Sequence, residues 1–167
     1  MTPIDVIGEA GAQGLADVFP PDEEIDWQLY VPHNYSTDDP PGVVVYVSPR
    51  ENGGPPRGWN DLLSEKNLIW IGANGAGNKN PVVERALKAL FAPSVLAKTH
   101  KINTERLYVA GFSGGSKTAM RVAALWPDQF KGGIYMAGAV FWEDNTPPRI
   151  DQIRKMTAGV VSWVVKT

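Results

Sequence analysis

Ser113 is the residue whose setting most clearly points to chemistry. It lies in Leu107-Tyr-Val-Ala-Gly-Phe-Ser-Gly-Gly-Ser-Lys-Thr-Ala119, which reads as a short apolar strand, a tight glycine turn and the start of a helix. Gly111 and Gly115 flank it in the spacing G-x-S-x-G, the nucleophile-elbow pattern. On such a turn the serine backbone is strained and its hydroxyl projects above the sheet. Side chains two positions to either side would collide, so glycine is expected at both. The helix that follows brings its free N–H groups near the serine oxygen. The chemistry implied is acyl transfer. It needs an oxyanion hole, and the N–H of Gly114 is the expected first donor. The second is expected from the loop after the strand at 42–48, with Arg50 as the candidate.

A serine hydroxyl also needs a base to take its proton. In the usual order for such elbows, an acid and then a histidine follow the serine. Here both histidines, His33 and His100, precede it. His33 reads as a surface-loop residue after the first strand. His100 reads as a solvent-facing or capping residue near the end of a helix at 80–101. Asp128, Asp144 and Asp151 do follow Ser113. Asp128 is expected at the wrong end of the elbow helix, and Asp144 in a loop near the pocket beside Trp142.

The same residues admit a second reading. Gly111-Phe-Ser-Gly-Gly-Ser-Lys-Thr118 is one residue away from the phosphate-cradling G-x-x-x-x-G-K-[ST] loop. Ser116 stands where that motif needs glycine for its nest of N–H groups.

Those residues must be held by a fold. The chain has 167 residues, enough for one domain with a real core. Its net charge of -2 gives no electrostatic case for nucleic acid or an anionic membrane. Cysteine is absent, so disulfides and thiolate metal sites are excluded. The N-terminus has no basic start and no apolar run of signal-peptide length. No apolar stretch approaches the ~20 residues of a membrane span. The default expectation is a cytoplasmic protein.

Residues 1–25 are rich in Gly, Ala, Pro and acid and read as a loosely held lead-in. Residues 26–167 read as a single domain. A first strand at 26–32 is stopped by Pro32. Buried strands are expected at 42–48 and 67–73, since continuous β-branched runs suit strands covered on both faces. Gly/Pro-rich loops follow each, at 49–58 and 74–78, and a short helix is expected at 59–66. Asn80-Pro81 reads as a helix start, with Asn80 as cap. Val83, Leu87, Phe91 and Val95 mark one apolar helix face, and Pro93 is expected to kink or split that helix. Further strands are expected at 107–110, 132–137 and 159–165. Apolar strands alternating with amphipathic helices imply an α/β fold, a mostly parallel sheet with helices on both faces. Ligands in such sheets bind beyond the carboxyl ends of the strands.

Residues 103–120, then Trp126-Pro-Asp-Gln-Phe130 and Gly133-Ile-Tyr-Met-Ala-Gly138, resemble the α/β-hydrolase superfamily. The branch is similar to polyhydroxybutyrate depolymerases and to feruloyl or acetylxylan esterases. The likeness runs over about residues 27–140, with the elbow block the most specific part. It implies a serine nucleophile at Ser113 and cofactor-free hydrolysis of a small-molecule or polymer ester. It also implies secretion for many relatives, which this N-terminus does not match. Relatives often carry His-Gly in the first oxyanion loop, where this chain has Ser48-Pro49. The family's acid and histidine lie on loops after the last strands, so the chain is expected to be an incomplete hydrolase, weak or inactive alone. An unfinished sheet would leave 132–137 or 159–165 as an exposed edge, and self-association is expected through it. The rival expectation is a non-catalytic module that binds a small ligand over Ser113.

Overall fold

The computed structural model describes residues 1–139 and 149–153 and the backbone of 161–163. Six strands form one sheet in the order β1-β3-β2-β4-β5-β6. They are β1 (Trp27–Tyr30), β2 (Gly42–Val47), β3 (Leu68–Ala73), β4 (Leu107–Phe112), β5 (Gly132–Met136) and β6 (Val161–Trp163). Only β1 runs antiparallel, pairing Trp27 with Ala73 and Tyr30 with Trp70. The other pairings are parallel. Every residue of β2 is buried, as its unbroken apolar run requires of a strand covered on both faces. With β6 paired to β5, the strand at 132–136 is not an edge.

Alternation along the strands sorts the core into two layers. Val43, Val45, Val47, Ile69, Ile71 and Val109 face one way, and pack with Ala89, Ala92 and Leu96 of α3 (Val82–Ala97) and Ala119 and Val122 of α4 (Gly114–Leu125). Val44, Tyr46, Trp70 and Ala110 face the other way, toward Leu63 of α2 (Asn60–Glu65) and Trp59. Helices therefore cover both faces, as the pattern implied.

Three local expectations are corrected. Residues 1–25 are not loose. A helix, α1 (Pro3–Gly14), starts at a capping box between Thr2 and Asp5. Beyond it Phe19 is 0% exposed and meets Phe91 edge to face, with ring centroids 6.3 Å apart. That buried aromatic anchors the lead-in to α3. Asn80 does not cap α3, whose N-cap is Pro81. Its amide instead donates to Glu51 Oε2 at 3.2 Å. Pro93 does not split α3, which runs on to Ala97 with the proline ring buried. Near the N–H that proline lacks, the Leu90 carbonyl accepts from Gln129 Nε2 at 3.3 Å.

The buried face of α3 also differs from the expected stripe. Val83 is 55% exposed, while Arg85 and Lys88 are buried. Their heads leave the helix to bond loop carbonyls, so the first two turns face the core through two cations. Polar heads with apolar stems allow this when every donor finds an acceptor.

Candidate active site

The elbow forms where β4 ends and α4 begins. Ser113 has φ 53° and ψ -120°, a conformation that few residues other than glycine adopt. Close packing imposes it. A Cβ on Gly111 would stand 2.6 Å from the Ser116 nitrogen. A Cβ on Gly115 would overlap the Val47 carbonyl and lie 3.1 Å from the Ser48 carbonyl carbon. Both glycines of the motif are therefore required by contact, one with the helix and one with β2.

The segment after β5 braces the turn from the other side. Ser113 N–H donates to the Met136 carbonyl at 2.8 Å, and Ser116 Oγ donates to the Gly138 carbonyl at 2.7 Å. Ala137 also has positive φ, 53°. Strain thus collects on both sides of the serine, as it does where packing overrides local preference. Replacing Ser113 tests this. Ser113→Gly removes strain of about 1–3 kcal/mol and gives back about 0.5–1 kcal/mol in unfolded-chain entropy. We expect Ser113→Gly to melt higher than Ser113→Ala in a thermal scan, by about 1–2 kcal/mol in stability. Equal melting temperatures would show an unstrained turn.

Gly114 is the first residue of α4, where N–H groups have no acceptor within the helix. A Cβ there would lie 2.7 Å from Asn78 Cγ, so the Asn78 amide lies directly against the residue after the serine. The sequence placed Asn78 only in a permissive loop. Arg50, on the loop after β2, has its backbone N–H bonded to Ser48 Oγ at 3.0 Å.

Arg85 joins the two loops that flank the elbow. Its Nε donates to the Ala76 carbonyl at 2.7 Å and its Nη2 to the Ser48 carbonyl at 3.1 Å. It is 3% exposed, and burial pushes its pKa down while Glu51 partly offsets this. Lys88 does similar work one turn on. Its Nζ donates to the Gly75 carbonyl at 3.0 Å and pairs with Glu84 at 2.7 Å. Neither cation was singled out by sequence reasoning, because a charge on an amphipathic helix reads as solvent-facing.

The histidines lie at the far edge of the sheet. His33 follows Tyr30, the β1 residue paired toward the start of β3, and its ring meets Tyr30 edge to face at 5.9 Å. His100 lies between α3 and the start of β4, and Nδ1 shares a hydrogen bond with Thr99 Oγ1 at 2.8 Å. Ser113 lies at the opposite, carboxyl edge. Asp128 follows α4 and pairs with Arg149. Trp142 and Asp144 lie outside the described residues.

The placement of two hydroxyls counts against the phosphate-loop reading. Ser116 and Thr118 are both 0% exposed, and Thr118 Oγ1 bonds back to the Gly114 carbonyl at 3.4 Å. Neither hydroxyl is therefore presented to a bound phosphate or its metal ion.

Beside the elbow lies an open cleft of about 530 Å³. Tyr46, Trp59, Phe112 and Met136 supply apolar walls, and the loop after β2 supplies Arg50 and Arg57. Among the described residues no cluster of side chains could hold a metal ion, and no helix is long and apolar enough to cross a membrane.

Neither a family model nor a curated protein sequence matches the chain. Solved structures do. A Bacteroides ovatus protein assigned as a dipeptidyl aminopeptidase IV superposes with TM-score 0.59 at 21% identity, covering 72% of this chain and 20% of its own. Est1E from Butyrivibrio proteoclasticus gives 0.53 at 18% identity, covering 67% and 46%. The Pyrococcus horikoshii acylaminoacyl peptidase gives 0.55 at 19% identity, covering 69% and 21%. The fold is that of the α/β-hydrolases. Two of these neighbours are peptidases by name, and this chain spans between a fifth and a half of the three neighbours' lengths.

Proposed function

We propose that the chain carries the nucleophile and oxyanion-hole half of a serine ester hydrolase site. The observation that carries this is Ser113 at positive φ on a strand-to-helix turn, with Gly111 and Gly115 in contact on either side. In the reaction, Ser113 Oγ attacks the ester carbonyl carbon and its proton passes to a base. The carbonyl oxygen becomes an oxyanion facing the N–H of Gly114. Collapse breaks the bond to the leaving alkoxide, which takes up the proton, and water then hydrolyses the acyl-enzyme. The second oxyanion donor is the Arg50 N–H, which exchanges Ser48 Oγ for the substrate oxygen. A lost donor of this kind costs about 2.7–4 kcal/mol of transition-state stabilisation. Neither histidine of this chain lies at the serine's edge, so the half proposed here lacks a histidine base. The isolated chain is weak or inactive.

The cleft beside the serine also supports the rival reading, a small-ligand-binding module on the hydrolase scaffold. A fluorophosphonate probe separates the two. Displacement of fluoride by Ser113 Oγ forms a covalent phosphonyl-enzyme. We expect slow labelling at Ser113 by intact-mass measurement, lost in Ser113→Ala. We also expect p-nitrophenyl acetate turnover of no more than about 10³–10⁴-fold over water, the level left by an oxyanion hole and binding alone. Labelling that survives Ser113→Ala, or hydrolysis at full enzymatic rate by the isolated chain, contradicts the proposal. No labelling at all selects the binding module.

A further inference from the structure

Among the described residues, the lining of the cleft beside the elbow carries charge of one sign: it includes Arg50 and Arg57 but no aspartate or glutamate. Among the described residues, neither guanidinium is in an ion pair or a side-chain hydrogen bond. The neighbouring acid, Glu51, is engaged elsewhere, with Asn80 at 3.2 Å. Tyr46 on the cleft wall reports the same field. Burial raises its phenol pKa, and the charge of Arg50 acts against that rise. The remaining lining is mainly aromatic, apolar or proline, with Ser48 and Asn52 as its uncharged polar side chains. Trp59 stands edge to face on Trp70 at 5.7 Å, and Tyr46 lies 4.5 Å from the same ring. Trp70 is itself fixed, since its Nε1 donates to the Gly53 carbonyl at 2.8 Å. A rigid aromatic floor therefore underlies a rim of two cations.

The cleft reaches the residues that flank the nucleophile. Phe112 lines it and immediately precedes Ser113, and Met136 lines it while its carbonyl holds the Ser113 N–H at 2.8 Å. A molecule in the cleft has its apolar body on Tyr46, Trp59 and Phe112 and an anionic end at the arginine rim. Guanidinium groups suit this because they bind carboxylates through paired, charge-assisted N–H···O bonds. A volume of about 530 Å³ fits a small organic molecule rather than a polymer segment of many units.

We propose that this cleft binds a small organic carboxylate with an apolar or aromatic body, held by Arg50 and Arg57 beside Ser113. On the hydrolase reading above, the substrate is an ester that keeps one free carboxylate. That clause rests on the reading, and the binding does not.

The test uses the full chain with Ser113→Ala, so that nothing is turned over. Binding of 4-phenylbutyrate is compared by calorimetry with that of 4-phenylbutyramide, which has the same shape and no charge. We expect the acid to bind about tenfold tighter than the amide, with the difference shrinking as salt rises. In Arg50→Gln/Arg57→Gln the acid falls to the affinity of the amide. Both arginines are exposed, so circular dichroism is expected to show an unchanged fold. Equal affinity for acid and amide in the parent, an acid preference that survives the double variant, or no binding of either at millimolar concentration each overturns the proposal. The fluorophosphonate experiment stays separate. A chain that prefers the acid but resists the probe keeps this site and loses the hydrolase reading. A chain that reacts with the probe but ignores the charge loses only this site.

Discussion

Gly115→Ala lowers the melting temperature by roughly 6–12 °C, corresponding to about 3 kcal/mol in a domain of this size. Two effects of opposite sign compete. Alanine is a better helix former than glycine by about 0.8–1 kcal/mol, and Gly115 lies in the first turn of α4. Against this, the new methyl would occupy the space of the Val47 carbonyl oxygen and stand 2.8 Å from the Val47 carbonyl carbon. Those are backbone atoms of the central strand, paired on both sides, so they cannot turn aside as a side chain would. The strain wins, and α4 moves off the sheet or the elbow opens. Gly14→Ala is the control, since that residue ends α1 and a Cβ there meets nothing within 4 Å. It should be neutral or slightly stabilising. If both variants melt together, the elbow glycine is a matter of flexibility and not of contact.

The elbow could be read from the sequence because its constraints are local. Two glycines, a serine and an apolar run within a few residues specify a strand, a turn and a helix. The central strands were readable for a similar reason. A run such as Gly42-Val-Val-Val-Tyr-Val47 has few stable homes other than a sheet covered on both faces. Knowing which edge of the sheet those strands end at was enough to predict that Ser113 would share it with the loops after β2 and β3.

What was not readable depends on contacts between distant segments. Phe19 lies among glycines, alanines and prolines, and nothing nearby says that it packs on Phe91. The face of α3 was misread because hydrophobic periodicity treats a cation as outward-facing. Arg85 and Lys88 point inward since their acceptors, the carbonyls of Ser48, Ala76 and Gly75, belong to two loops that only the folded sheet brings together. The bond from the Arg50 N–H to Ser48 Oγ is a short-range serine turn. Its local pattern could have been noticed from Ser48-Pro49-Arg50, and it bears directly on the second oxyanion donor.

Arg85→Met is the substitution in which those distant contacts are expected to matter most. Methionine keeps much of the stem, so the core loses little volume. It removes two hydrogen bonds from a charged donor, each of which typically contributes about 1.5–3 kcal/mol. The Ser48 and Ala76 carbonyls are then left without the guanidinium, in a place where Ser48 and Ala76 are buried. Part of that loss is returned, because burying the guanidinium was itself unfavourable, as its lowered pKa indicates. The balance is a destabilisation of about 2–3 kcal/mol. The sharper readout is local. Ser48 leads into Arg50, and Ala76 leads into Asn78, whose N–H bonds the Pro49 carbonyl at 3.1 Å and whose amide lies against Gly114. Amide hydrogen exchange at 48–53 and 74–78 should therefore quicken more than exchange in β2 or β4, and Arg85→Lys should not restore it, because an ammonium lacks the fork that spans both carbonyls. Uniform quickening across the sheet would mean that Arg85 serves the core as a whole and has no particular hold on the loops around Ser113.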